Sequence, residues 1–366
     1  MANNEKTEWD AYITEERTHI EPLLAELGYT LEEDQPHLSG ERYLMQAVTT
    51  TSGRKLILIG VDTDGTRVVI KATRDPRGME ELLHERSCRQ TLETIDFAYD
   101  VFHTPKELVW VKRNGYLIVI HAFIEQDSTF ISRPITEQFS LALSAFKAQE
   151  SARATTYAHI RRVRNTFGSM DATGYLNTFE GFIRNINTQE SSSELASLLD
   201  QAKNLLTENK DRIQQYGGFL THTDFVPHNF RVVGSDIYLL DTASLRFGNK
   251  YEGWARFINF MMLYNPPLVE AFVQYVRDNR SPEESEALRL MRIYRLGEIL
   301  CYYSGWVERV DENLLELTHA RITFWTEALN AVLKNESLSS VALDTYRSRR
   351  DELRSEDEKR RQENLH

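Results

Sequence analysis

The stretch from Tyr43 to Thr73 limits the possible fold more than any other. YLMQAVTT, KLILIGV and RVVIKAT are rich in Val, Ile, Leu and Thr and read as three successive β-strands. Short links join them, Thr50–Arg54 and then Asp62-Thr63-Asp64-Gly65-Thr66, whose Asp-Gly step is a hairpin signal. Links this short cannot hold a crossover helix, so the strands form an antiparallel meander. That excludes the βαβ unit of a dinucleotide-binding domain.

A charged amphipathic helix follows, Arg77 to Thr94, and then two more strands, ELVWVKR and GYLIVIHAFI, turned by Asn114-Gly115. Beyond Ile124 the spacing of apolar residues becomes helical. One long helix is predicted over 134–167, opened by Pro134 and stopped by Gly168, with others at 173–187 and 193–215. Ser191 and Glu194 offer a capping box for the last of these. Helices resume from Gly253 to about Lys334. Ahead of the strands, residues 8–28 read as a helix burying Trp9, Ile13, Ile20, Leu23, Leu24 and Leu27, kinked or restarted at Pro22 and stopped by Gly28. Residues 346–366 are nearly all charged or polar and read as a solvated helix end or a disordered tail.

The chain of 366 residues is long enough for two lobes, and the expected class is α+β: a five-stranded antiparallel lobe followed by a mainly helical one. A net charge of −12 argues against a nucleic-acid surface, which needs a basic face, and fits a cationic partner. Two cysteines, Cys88 and Cys301, give neither a disulfide framework nor a cysteine zinc site. MANNEKTEWD lacks the apolar core of a signal peptide, and no apolar run reaches transmembrane length, so a cytoplasmic location without membrane partners is expected.

The chemistry-bearing residues concentrate in HTDFVPHNFRVVGSDIYLLD, His222 to Asp241. Asp224 follows a histidine by two positions, Asn229 follows Asp224 by five, and the apolar run Ile237–Leu240 ends on Asp241. A carboxylate to orient a hydroxyl, a neutral oxygen ligand and an acid closing a strand suit phosphoryl transfer. Asn229 and Asp241 are hard oxygen ligands of the kind Mg2+ prefers. The same segment allows a second reading, in which His222, Asp224 and His228 hold zinc or iron in a hydrolase. His222 otherwise supports the loop through hydrogen bonds.

Lys71 closes the third strand in Val68-Val69-Ile70-Lys71, which resembles the Val-Ala-Ile-Lys strand of kinases; the resemblance implies that it holds phosphates, with a helix carboxylate keeping it in place. Glu85, fourteen residues on, is the preferred partner; Glu81, one turn earlier, is the other choice. Thr51-Ser52-Gly53 would place backbone N–H groups of Ser52 and Gly53 over the phosphates. Ala122 and Phe123, where the fifth strand leaves the sheet, offer extended backbone to a nucleobase edge.

Taken together, these residues resemble the aminoglycoside phosphotransferase and choline kinase group of kinase-like small-molecule phosphotransferases, over about residues 41–335. His222-Thr223-Asp224-x4-Asn229 is similar to that group's His-Gly-Asp-x4-Asn loop, and Leu239-Leu240-Asp241 to its metal motif. Gly248-Asn-Lys-Tyr-Glu252-Gly-Trp-Ala resembles its Gly-Asp-Pro-x-x-Asp-Leu-Ala segment. The resemblance implies a protein-kinase-like two-lobed fold divided as 1–40 helical extension, 41–124 nucleotide lobe, 125–345 helical lobe and 346–366 tail. It also implies ATP or GTP with Mg2+, and transfer to a hydroxyl of a small aminoglycoside-, choline- or sugar-like molecule. A kinase-like protein that binds nucleotide without transferring phosphate is the alternative. Three departures bear on that choice: Thr223 replaces a glycine, Thr242-Ala243 follows Asp241 where an aromatic is usual, and Gly253 stands where an acid is expected, with Glu252 one position early.

Overall fold

A computed structural model describes residues 8–35, 53–95, 101–151, 157–189, 192–354, 356 and 359. Its N-terminal part is one antiparallel sheet of five strands in the order β1-β2-β3-β6-β5. They are β1 (Tyr29–Leu31), β2 (Leu56–Asp62), β3 (Arg67–Thr73), β5 (Glu107–Arg113) and β6 (Tyr116–Ala122). The β2–β3 turn closes as its Asp-Gly suggests: Asp62 Oδ1 accepts the N–H groups of Asp64 (2.9 Å) and Thr66 (2.8 Å). Between β5 and β6, Asn114 and Gly115 both take positive φ, 47° and 83°, the geometry of a two-residue hairpin whose twist matches the strands.

The strand expected at Tyr43–Thr50 lies outside the described residues, as do Thr51 and Ser52. The fifth strand of the sheet is β1, which pairs with β2 through Tyr29↔Asp62, Thr30↔Val61 and Leu31↔Gly60. Three residues are too short to show a period of two, and the sequence reading placed no strand between Gly28 and Tyr43. Helix α1 (Glu8–Glu26) runs through Pro22 without restarting and buries Trp9, Ile20, Leu23 and Leu24 against Leu56, Leu58, Val68, Ile70, Ile118 and Ile120. It is therefore part of the core beneath this sheet.

Helix α2 (Pro76–Leu92) covers the other face. Asp75 caps it, accepting the Gly78 N–H at 2.9 Å, and Pro76 fills its first position. Arg89, near its end, reaches Glu107 on β5 and the ring of His121 on β6, and Arg86 adds a 3.1 Å bond to Glu107. These ties fix α2 against two strands at once.

The remainder is mainly helical around one large core. The helix expected over 134–167 is two, α3 (Ile135–Ser151) and α4 (Tyr157–Phe167); then come α5 (Ala172–Gln189), α6 (Ser193–Glu208) and the short α7 (Lys210–Gln215). The cap of α6 is Ser192, whose Oγ accepts the Leu195 N–H, and not Ser191. Two small sheets interrupt the helices. In one, β7 (Phe219–His222) pairs antiparallel with β10 (Leu245–Gly248); in the other the order is β4 (Phe102–His103), β9 (Asp236–Leu239), β8 (Phe230–Val233). Helices α8 (Glu252–Tyr264), α9 (Pro266–Asn279), α10 (Pro282–Ser304), α11 (Glu312–Leu333) and α12 (Ser340–Leu353) complete it. The charged C-terminal stretch is not solvated throughout: Tyr346 and Leu353 of α12 are buried, and Tyr346 stacks on Phe324 with ring centroids 4.6 Å apart. Among the described residues no helix is long and apolar enough to cross a membrane.

Candidate active site

Lys71 leaves β3 toward α2 and forms an ion pair with Glu85. Burial alone would raise the Glu85 carboxyl, but Lys71 outweighs it and holds the group below its ordinary range. Glu81 has another partner set. It accepts the Gly53 N–H at 2.7 Å and the Lys55 ammonium at 3.0 Å, so the choice between the two glutamates falls on Glu85. The same bond corrects the expectation for Gly53: its amide already has a carboxylate acceptor. The glycine is needed for a different reason, because a Cβ there would lie 2.2 Å from the Gly78 nitrogen at the start of α2.

The amides at the end of β6 are likewise engaged. Ala122 N–H donates to Lys106 O (2.9 Å) and Phe123 N–H to Arg67 O (3.3 Å), while the Arg67 guanidinium lies 4.1 Å from the Phe123 ring centre. The Ala122 and Phe123 amides expected to meet a nucleobase are therefore not open donors. His121, just before them, is buried between Lys71 and Arg89; burial and those two cations push its ring down to about 4, so it is neutral near pH 7.

Across the cleft, the loop after β7 holds Asp224 between two donors. Arg256 Nε of α8 reaches Oδ1 at 2.7 Å and Asn229 Nδ2 reaches Oδ2 at 2.7 Å. Burial opposes ionisation, yet Arg256, then Arg295 and His222, hold this carboxyl well below the usual carboxylate range. The Asn229 amide N also bonds the Asp224 carbonyl (2.9 Å), and among the described residues none donates to its side-chain oxygen. Leu240 N–H donates to the Asn229 backbone carbonyl at 2.9 Å, which lays the Asn229 and Asp241 segments side by side. Asp241 caps its own turn, accepting Ala243 N–H (3.1 Å) and Ser244 Oγ–H (2.5 Å). A hard cation is compatible with this pair, since each carboxylate oxygen keeps a lone pair and Mg2+ draws its remaining ligands from phosphates and water.

His222 is fully buried, and burial lowers its ring despite the nearby Asp241 and Asp224. The neutral ring donates from Nε2 to the Asp241 carbonyl at 2.7 Å. His228 points elsewhere, edge-on to Phe260 at 4.9 Å. Among the described residues no three His, Cys, Asp or Glu side chains converge as metal ligands, so the hydrolase reading lacks its centre.

No family model matches this sequence, and no curated protein matches it either. Solved structures do. The apo form of a thermostable mutant of aminoglycoside phosphotransferase APH(4)-Ia aligns with a TM-score of 0.55 at 13% identity, over 86% of this chain and 97% of that one. Macrolide 2'-phosphotransferase MphH from Brachybacterium faecium gives 0.50 at 14% identity, over 87% and 98%. Amicoumacin kinase hAmiN, solved with AMP-PNP, Ca2+ and Ami, gives 0.56 at 11% identity, over 90% and 97%. The fold is that of the aminoglycoside phosphotransferase-like kinases.

Within this kinase fold, the departures at Thr223 and Thr242 turn out to carry structure. Thr223 holds the Ser244 carbonyl twice, from its N–H (2.8 Å) and its Oγ (3.0 Å), while Ser244 holds Asp241. Thr242 is buried and donates from Oγ1 to the Glu85 carbonyl at 3.0 Å, joining the Asp241 segment to the helix that positions Lys71. A hydrogen bond of this kind contributes about 1 kcal/mol, so Thr242→Val should lower stability by about that amount, with Thr242→Ser close to wild type. Urea unfolding of the two variants checks this.

Sequence reasoning missed Arg256, Glu298 and Arg231. Arg256 stands one helical turn after Glu252, in the segment that resembles the group's helix opening, and that spacing was the available signal. Glu298 bonds Arg295 at 2.6 Å; burial pushes it up, against Arg295 and Arg256. Arg231, two residues after Asn229, is lowered by burial and has no carboxylate partner among the described residues.

Proposed function

We propose that this protein is an ATP- or GTP- and Mg2+-dependent phosphotransferase that moves the γ-phosphate to a hydroxyl of a small molecule. The observation that carries the reading is an Asp224 gripped by Arg256 and Asn229 and a formed Lys71–Glu85 pair, with Thr242, next to Asp241, bonded to the Glu85 carbonyl. The amicoumacin kinase, which was solved with AMP-PNP, has the same fold and adds support. Residues up to Ile124 would form the nucleotide lobe, and those from 125 to about 353 the lobe that takes the acceptor.

In this reading Lys71, kept in place by Glu85, neutralises the nucleotide phosphates. Asn229 and Asp241 would hold Mg2+, which when bound offsets charge on the transferring phosphoryl group. Asp224 accepts a hydrogen bond from the acceptor hydroxyl and aims its oxygen at the phosphorus; so acidic a carboxyl works by orientation more than by taking the proton early. Glu298, which pairs with Arg295 at 2.6 Å and keeps its side chain 38% exposed, is the acid assigned to a cationic acceptor.

A thermal-shift screen with nucleotides and Mg2+, followed by phosphate-transfer assays on a library of hydroxyl metabolites, tests this. A nucleotide at about 100 times its Kd should add about 2.7 kcal/mol of stability, and Lys71→Ala should remove most of that gain. Equal nucleotide stabilisation in wild type and Lys71→Ala would remove Lys71 from the site. The grip of Arg256 on Asp224 would also suit a protein that binds nucleotide without transfer, and Mg2+-dependent binding with no turnover across the library would favour that second reading.

A further inference from the structure

The loop carrying Asp224 needs an anchor beneath it, because β7 delivers its backbone into the core. The His222 N–H is buried with the residue, and an unmet donor there would be costly. Its acceptor is Gln149 Oε1 at 3.0 Å, from a buried glutamine two residues before the end of α3. On the other side, α8 approaches with Gly253. A Cβ on that glycine would lie 2.9 Å from the His222 carbonyl, 3.0 Å from Thr221 Oγ1 and 3.3 Å from Gln149 Oε1. The Gly253 N–H donates to Thr221 Oγ1 at 3.0 Å. The α8 backbone thus closes directly on β7, and Gln149 occupies the space that a side chain at 253 would need.

We infer that Gln149 is a positioning residue for Asp224: its side-chain carbonyl fixes the His222 backbone, and the bare α-carbon of Gly253 makes room for it. The aromatic stack one turn earlier, Phe146 on Trp254 at 4.4 Å, presses α3 against α8 and holds the glutamine in line. His222 in turn bonds the Asp241 carbonyl through its ring, so one acceptor orders both the Asp224 loop and the Asp241 segment. This inference rests on the phosphotransfer reading for its kinetic consequence, but not for the hydrogen bond itself.

Two variants separate the acceptor from the packing. Gln149→Leu keeps the approximate volume and removes the acceptor; Gln149→Glu keeps an acceptor oxygen. Measured on the full chain, Gln149→Leu should lower kcat at least tenfold with the nucleotide KM within about twofold, and Gln149→Glu should stay within about threefold of wild type. Amide hydrogen exchange, read without any substrate, should show faster exchange over 221–226 in Gln149→Leu alone. Wild-type activity with unchanged exchange in Gln149→Leu overturns the inference, as does equal impairment of the two variants. Should the wild type transfer no phosphate at all, the exchange measurement still decides the anchoring role, while the phosphotransfer reading falls by itself.

Discussion

In the phosphotransfer reading, Asp224→Asn should abolish most phosphate transfer while leaving nucleotide binding in place. The substitution keeps the shape but replaces one acceptor oxygen with an NH2 group, which must then face either Arg256 Nε or Asn229 Nδ2, both donors. The acceptor hydroxyl loses the charged group that orients it, and Arg256 loses its counter-ion. A positioned catalytic carboxylate contributes about 10²–10⁴-fold, and kcat should fall by that factor. ADP release at saturating nucleotide measures it, with the nucleotide-induced thermal shift as the control for binding; a fully active variant would sink the assignment. The pH behaviour follows with a definite sign. Because the folded carboxyl lies below its unfolded value of about 3.9, its contribution to stability is present above that pH and is lost as pH falls through the folded value. Activity between about pH 5 and 8 should therefore show no acid limb from Asp224, and any limb seen there belongs to another group.

Much of this arrangement was legible because it is local. The Asp-Gly and Asn-Gly turns and the period of two around Val68–Lys71 each lie within a window of a dozen residues. Lys71 at a strand end and Glu85 on the next helix follow from the order of those elements. What escaped the sequence is what arrives from far along the chain. Gln149 sits in AFKAQES, where a polar residue on an amphipathic helix reads as solvated, and only the fold brings it to His222, 73 positions away. The Thr242–Glu85 bond spans 157 positions, so a threonine standing where an aromatic is usual becomes a tie from the Asp241 segment to α2. Gly53 shows the opposite case: the residue was noticed, but the amide expected to meet phosphate meets Glu81 instead, through a contact 28 positions off that no local rule contains.

Glu252→Ala should have the largest effect on stability of any single change in this region, and little effect on acceptor choice. An acid close behind the loop in a chain of net charge −12, Glu252 is a natural candidate for binding a cationic acceptor. The structure gives it another. Its carboxylate is fully buried and accepts from Tyr175 Oη (2.6 Å), Arg246 Nε (3.0 Å) and Arg295 Nη1 (3.4 Å). Tyr175 passes the constraint on, since its oxygen also accepts the Asn249 N–H at 2.8 Å. The effect is visible on both partners: burial and Glu252 push the Tyr175 phenol well up, and Glu252 overcomes burial to raise Arg246. Removing the carboxylate takes the anionic partner from the Arg246 guanidinium, leaving it the Tyr175 ring at 5.5 Å and the Tyr294 hydroxyl, whereas Arg295 keeps Glu298. Breaking a buried pair from one side costs about 3–5 kcal/mol, a large share of the roughly 5–15 kcal/mol that holds a domain folded. Urea unfolding should show a lower midpoint at unchanged slope, with Glu252→Gln between the variant and wild type. At a temperature where Glu252→Gln is folded, its relative kcat/KM for cationic and neutral acceptors should match wild type. A selective loss of cationic acceptors would instead return Glu252 to the acceptor pocket, and would take that role away from Glu298.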